Sequence, residues 1–105
     1  MGIGGGCVIV HGLKPHGGGE EVKKYVSHDG YPRGLGSKVA DALCSNNPRE
    51  NLLLLLVGDD MHNFDMKGGG YEYEVCLDEC VVIVEEEGSK KELTYEEFRV
   101  WCQEN

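Results

Sequence analysis

Glycine sets where this chain can and cannot carry regular structure. Its 16 glycines in 105 residues are roughly twice the usual share of about 7%, and they gather in clusters such as Gly4-Gly5-Gly6 and Gly17-Gly18-Gly19. Clusters without a period exclude collagen-like and solenoid architectures and mark loops between short elements. A chain of this length closes one modest hydrophobic core and forms one domain. With 40% apolar, 28% charged and 8% aromatic residues, it is neither disordered by composition nor built for a bilayer. Residues 1–6 are read as a flexible stretch ahead of that domain.

Between the glycines the pattern is specific enough to place elements. Cys7-Val8-Ile9-Val10 is a β-branched run that predicts a buried first strand. A second strand is expected over Glu21 to Ser27, joined to the first as a hairpin by the mobile connection from Gly12 to Gly19. From Asp29 to Lys38 three glycines and Pro32 predict successive turns. A helix follows, with Val39, Ala40, Leu43 and Cys44 at helical spacing, Ser37 or Gly36 as its cap, and Asn46-Asn47-Pro48 as its stop. Asn47, Pro48 and Glu50 then serve as cap, first position and capping-box partner of a second helix through Leu52 to Val57, ended by Gly58. The five leucines Leu52 to Leu56 are apolar all round, so that helix must be deeply buried or pair with another chain. A buried strand is the competing reading, because run length alone does not separate the two.

The C-terminal third is plainer. Tyr71, Tyr73, Val75 and Leu77 alternate with Glu72, Glu74 and Cys76, the period of a half-buried strand. Asp78-Glu79 turns the chain into Val81-Val82-Ile83-Val84, completing a second hairpin. Thr94 and Glu97 form a capping box, flanked by Leu93 and Phe98 as a hydrophobic staple, and Phe98, Trp101 and Cys102 continue one helical face. The element order predicts an α+β fold: a small antiparallel sheet built from two hairpins, with two or three helices packed on one face.

Charge and cysteine narrow the function. The net charge of −9 repels nucleic acid and argues against a general DNA or RNA binder. It is uneven: six Lys/Arg against five Asp/Glu in residues 1–50, four against fourteen in 51–105. The acidic half is either a solvated face or a surface that docks on a basic host protein, with Glu85-Glu86-Glu87, Glu72, Glu74 and Asp78 supplying that face. Five cysteines, an odd number without a CxxC pair, favour a reducing compartment, here a cytoplasm. No apolar run reaches the length of a membrane span. Cys76 and Cys80 with His11 or His28 have poor zinc spacing across a predicted turn, so no metal or other cofactor is expected.

The candidate site is the stretch His28-Asp29-Gly30-Tyr31-Pro32-Arg33-Gly34-Leu35-Gly36-Ser37-Lys38. Its expected ligand-binding residues are His28, Asp29, Gly30, Tyr31, Arg33, Gly34, Gly36, Ser37 and Lys38. Glycines that bring bare amides to a helix start make a site for phosphate or carboxylate. Arg33 and Lys38, with Lys23 and Lys24 on the strand before, add positive charge. Tyr31 would stack on a base, and Asp29 would accept from a ribose hydroxyl. The order Gly36-Ser37-Lys38 is not that of a nucleotide-hydrolysing P-loop. The bland alternative is a tight turn whose Tyr31 plugs the core. No nucleophile–base–acid order, metal pair or carboxylate dyad points to an enzyme, and His28 beside Asp29 is the best of four scattered histidines for catalysis.

His28-Asp29-Gly30-Tyr31-Pro32-x-Gly34-Leu35-Gly36, placed after two short strands, resembles a motif of the H-x-D-G-Y-P-x-G-x-G type in small uncharacterised proteins of bacteriophages and prophages. The segment Tyr71-Glu72-Tyr73-Glu74-Val75 through Leu77-Asp78, with its hydrophobic return strand, is similar to the same group. The resemblance implies a viral origin and carries no agreed activity. Together these features predict a phage-encoded protein in the host bacterial cytoplasm that sequesters a nucleotide-like immune signal, or alternatively an acidic inhibitor of a host defence or nucleic-acid-binding protein. The leucine run further predicts a homodimer with a two-fold axis near Leu52 to Val57.

Overall fold

The computed structural model describes residues 5–13, 21–59, 61–63 and 70–105. Five strands, β1 (Gly6–His11), β2 (Glu21–Val26), β3 (Tyr71–Cys76), β4 (Val81–Glu86) and β5 (Ser89–Thr94), form one open sheet in the order β2-β1-β3-β4-β5. The helices are α1 (Ser37–Leu43), preceded directly by a π-helical turn over Pro32–Gly36, α2 (Pro48–Leu56) and α3 (Tyr95–Glu104). The fold is α+β.

The period-2 alternation builds the core. Tyr73 lies across from Val8 on one side and Val84 on the other, and Val75 lies between Val10 and Val82. All six are at most 1% exposed, so the middle three strands present one continuous apolar face. Leu35, Val39, Leu43, Leu52, Leu56, Phe98 and Cys102 pack onto it from the helices and the π turn. The rings of Tyr73 and Phe98 meet edge to face at 5.7 Å, which ties α3 to the middle of the sheet. The Thr94–Glu97 capping box is formed in both directions, at 3.2 and 2.9 Å. At α2 the amide of Glu50 donates to the Asn47 side chain at 3.4 Å.

Four expectations need correction. The sheet is mixed: both predicted hairpins exist, but β1 and β3 join them in parallel. The two helices between β2 and β3 carry the chain back past β1, so β3 starts from the same end as β1. A fifth strand, β5, pairs with β4 as a third hairpin; its Lys90, Lys91 and Glu92 are the charged side chains of an edge strand and hide any apolar alternation. The stretch before α1 is helical from Pro32 onward rather than a run of turns, because Pro32 begins the π turn and Gly36 has right-handed helical backbone at φ −56°. Residues 1–4 lie outside the described residues, while Gly5 packs on Val26 and Gly6 is the first residue of β1. In α2 only Leu52 and Leu56 are buried; Leu53 is 46%, Leu54 61% and Val57 65% exposed.

Gly30 holds the sheet and the helical layer together. A Cβ there would overlap the backbone of Gly5 and Gly6, and its carbonyl accepts the hydroxyl of buried Tyr73 at 2.8 Å. Gly30→Ala is therefore expected to cost about 1–3 kcal/mol through overpacking, read as a lowered denaturant midpoint. An unchanged midpoint would mean that the two backbones separate without loss.

Candidate ligand-binding site

The chain leaves β2 at Val26 and reverses through Ser27 and His28 to Asp29, whose φ of 63° is left-handed, a conformation that Asp and Asn tolerate better than other side chains. From there the backbone closes on itself. Leu35 N–H donates to the Asp29 carbonyl at 2.9 Å, and Gly34 and Gly36 N–H both donate to the Tyr31 carbonyl, at 2.9 and 3.3 Å. Ser37 N–H donates to Gly34 and Pro32. The expected cradle of bare amides is therefore not formed. Because the π turn runs straight into α1, the amides that the sequence placed at a helix start lie inside one and are already bonded.

What the loop does form is a side-chain pocket of about 210 Å³, lined by Val26, Ser27, His28, Asp29, Leu35, Lys38, Leu55, Gly58, Asp59, Met61 and His62. Four elements meet there. The end of β2 and the loop supply Val26 to Asp29; the π turn and α1 supply Leu35 and Lys38; the end of α2 supplies Leu55, Gly58 and Asp59. The fourth wall is a short segment paired to the outer edge of β2, where Tyr25 and His62 exchange backbone bonds of 2.9 and 2.8 Å. Val26, Leu35, Leu55 and Met61 make an apolar floor. Among the described residues Asp29, Asp59, His28, His62 and Lys38 complete the lining, and the His28 ring shares a hydrogen bond of 3.0 Å with the Ser27 hydroxyl.

Of the nine expected site residues, the structure brings His28, Asp29 and Lys38 together on this pocket. Gly30, Gly34 and Gly36 shape the loop from below: a Cβ on Gly36 would stand 2.9 Å from Cys102 Sγ and 3.2 Å from the Tyr73 hydroxyl. Tyr31 is 43% exposed and plugs nothing; Tyr73, from β3, fills the core beneath the loop. Arg33 points away and donates to the Gln103 carbonyl at 3.2 Å, where the end of α3 favours a cation. The amide of Ser37 is held within the helix. Lys23 and Lys24 are on β2, outside the pocket lining. Asp59, Met61 and His62 were not legible as site residues, because they come from a part of the chain some 30 residues later and no local motif marks them, and Leu55 belongs to the leucine run that the sequence marked for a two-fold interface.

Other chemistry lies elsewhere. His11 Nε2 and Glu74 Oε2 are 2.6 Å apart on the outer sheet face. Cys44, Cys76, Cys80 and Cys102 are free thiols. Burial, and then the charge of Glu74, pushes the Cys76 thiol up, and burial with Asp41 pushes Cys102 up to about 12, so neither is an activated nucleophile. Among the described residues no group of three or more His, Cys, Asp or Glu is placed to hold a metal, and no helix is long and apolar enough to cross a membrane. Glu72 and Glu85 face each other across β3 and β4, whereas Asp78 lies beyond the far end of β3 against Gly12. No protein family, curated protein or solved structure matches the chain.

Arg33 and Lys38 can now be separated. If the pocket takes a phosphate-bearing ligand, Lys38→Ala is expected to weaken its binding by about 1.5–3 kcal/mol, the range for a charge-assisted contact, with little change in thermal unfolding. Arg33→Ala should do the reverse, leaving binding intact and loosening the end of α3 by about 0.3–1 kcal/mol. Calorimetry and thermal melts on both variants check the pair.

Proposed function

We propose that the protein is a small phage-encoded binding protein that captures a nucleotide-like signal of host immunity in this pocket and blocks defence by sequestration. The observation that carries the reading is the convergence of His28, Asp29 and Lys38 with Asp59 and His62 over an apolar floor. Such a floor takes the face of a base, the carboxylates accept from ribose hydroxyls or an exocyclic amine, and Lys38 meets one phosphate. The resemblance of the His28 to Gly36 motif to small phage and prophage proteins supports the viral setting. The odd number of cysteines without a CxxC pair supports a reducing host cytoplasm. The role is binding, with no reaction assigned.

At about 210 Å³ the pocket is smaller than the roughly 300–1,000 Å³ of most ligand sites, so one protomer holds one nucleoside portion. A homodimer through α2 extends this. Leu53, Leu54 and Val57 project outward from the same segment whose Leu55, Gly58 and Asp59 line the pocket, and a two-fold axis there would bring two pockets towards each other. A cyclic dinucleotide would then span both.

Isothermal calorimetry against cyclic dinucleotides and ADP-ribose derivatives is expected to give heat with at least one of them; silence across the panel would sink the proposal. Light scattering is expected to give the mass of a dimer, and Leu53→Glu or Leu54→Glu a soluble monomer. A monomeric wild type would remove the dimer while leaving the pocket to be judged by calorimetry.

A further inference from the structure

The helix α3 has two unlike faces. Phe98 and Cys102 are fully buried in the core. On the opposite arc Glu96, Val100 and Glu104 follow one another at four-residue intervals, with Glu97 and Trp101 alongside, so the five form one stripe. They border a shallow groove of about 350 Å³. Val100 is 50% exposed at its centre. Trp101 is held from behind by Phe98, at 6.3 Å and nearly parallel, and by Tyr71 edge-on at 6.2 Å. Its ring is a fixed wall of the groove rather than a loose surface side chain.

The chemistry of the rim says what this groove fits. Three carboxylates surround two apolar side chains. Glu97 is engaged in capping α3, whereas Glu96 and Glu104 are exposed at the two ends of the stripe. The Trp101 ring already takes a cation, since Lys91 Nζ lies 5.6 Å over it. A second copy of this chain docked groove to groove would bring the same carboxylates against one another, and nucleic acid or an anionic membrane would be repelled by them. Glu96 and Glu104 are eight residues apart, about 12 Å along a helix rising about 1.5 Å per residue, which matches two basic side chains two turns apart on a bound helix.

We propose that this acid-rimmed groove on α3 docks a cationic amphipathic segment of a partner protein, with an apolar anchor on Val100 and Trp101 and basic side chains on Glu96 and Glu104. The site is separate from the pocket described above and does not depend on it.

Trp101 is the single tryptophan of the chain, so its fluorescence reports this groove directly. The probe is a 14-residue Leu/Lys peptide with its leucines at helical spacing. The controls are a peptide of the same composition with the leucine stripe broken, and a Leu/Glu counterpart. A saturable shift in Trp101 emission is expected with the first peptide alone, weakening with added salt, and at least tenfold weaker in the double variant Glu96→Gln, Glu104→Gln. Glu97 is left in place because it caps the helix. No saturable shift, equal affinity for the broken-stripe peptide, or an unaffected double variant would each overturn the proposal. So would an emission change with protein concentration alone, which would mean that a second copy covers the groove. The wild-type comparison of the two Leu/Lys peptides decides the matter even if the variant unfolds.

Discussion

The hydroxyl of Tyr73 donates to the carbonyl of Gly30 at 2.8 Å, at the place where the central strands meet the loop leading into α1. Tyr73 is completely buried, and burial pushes its phenol far up, so the group stays protonated and must donate to something. A buried hydroxyl without a partner costs about 1–3 kcal/mol. For Gly30 to offer its carbonyl there, its α-carbon must rest on the backbone of Gly5 and Gly6, with no room for a side chain. Gly36 comes close to the same hydroxyl and to Cys102, which brings the π turn against α3. One hydrogen bond thus sets the position of β1, β3, the π turn and α3 together. It also fixes where the loop before Gly30 goes, and that loop carries His28 and Asp29 to the pocket.

Much of the fold was legible because alternation and capping are local signals. Tyr73, Val75 and Leu77 face inward as their spacing predicted, and Thr94 and Glu97 cap α3 as their separation predicted. The errors have physical causes. Charged edge residues carry no burial pattern, so β5 was invisible. A parallel pairing between β1 and β3 depends on how a long connection returns, which no local period records. In the segment from Gly30 to Gly36, glycine signalled turns, whereas Gly30, just before the π turn, and Gly36, at its end, are there for close approach of the backbone to neighbours that are far away in sequence. Composition reports that a side chain is missing, not what takes its place.

The site was half legible for a related reason. The motif around His28 to Lys38 does border the pocket, through His28, Asp29, Leu35 and Lys38, but without the expected cradle of bare amides. The amides failed because the helix starts five residues earlier than the alternating glycines suggest. Asp29 has two sufficient explanations, since its left-handed backbone favours Asp even where nothing binds. Asp59 and His62 have no such turn signature. They enter only through the edge pairing of His62 with Tyr25 and the end of α2, both tertiary facts.

The charges around the pocket limit what it can hold. Among the described lining residues Lys38 is the single ammonium, beside two carboxylates, Asp29 and Asp59, around a cavity of about 210 Å³. Each further phosphate on a ligand adds at least one negative charge and finds no second Lys or Arg among the described lining residues, because Arg33 is turned to the end of α3. Unit charges about 4 Å apart interact by roughly 4 kcal/mol near a protein surface, so a triphosphate would meet net repulsion where a hydroxyl or amine would find an acceptor. For the proposed nucleotide ligand the carboxylates favour the sugar and base, and several phosphates would fit only if they point out of the pocket into solvent or are shared with a second protomer across α2. On the proposed function, a cyclic dinucleotide, with its phosphates one per nucleoside and its bases apart, meets that condition better than a linear polyphosphate.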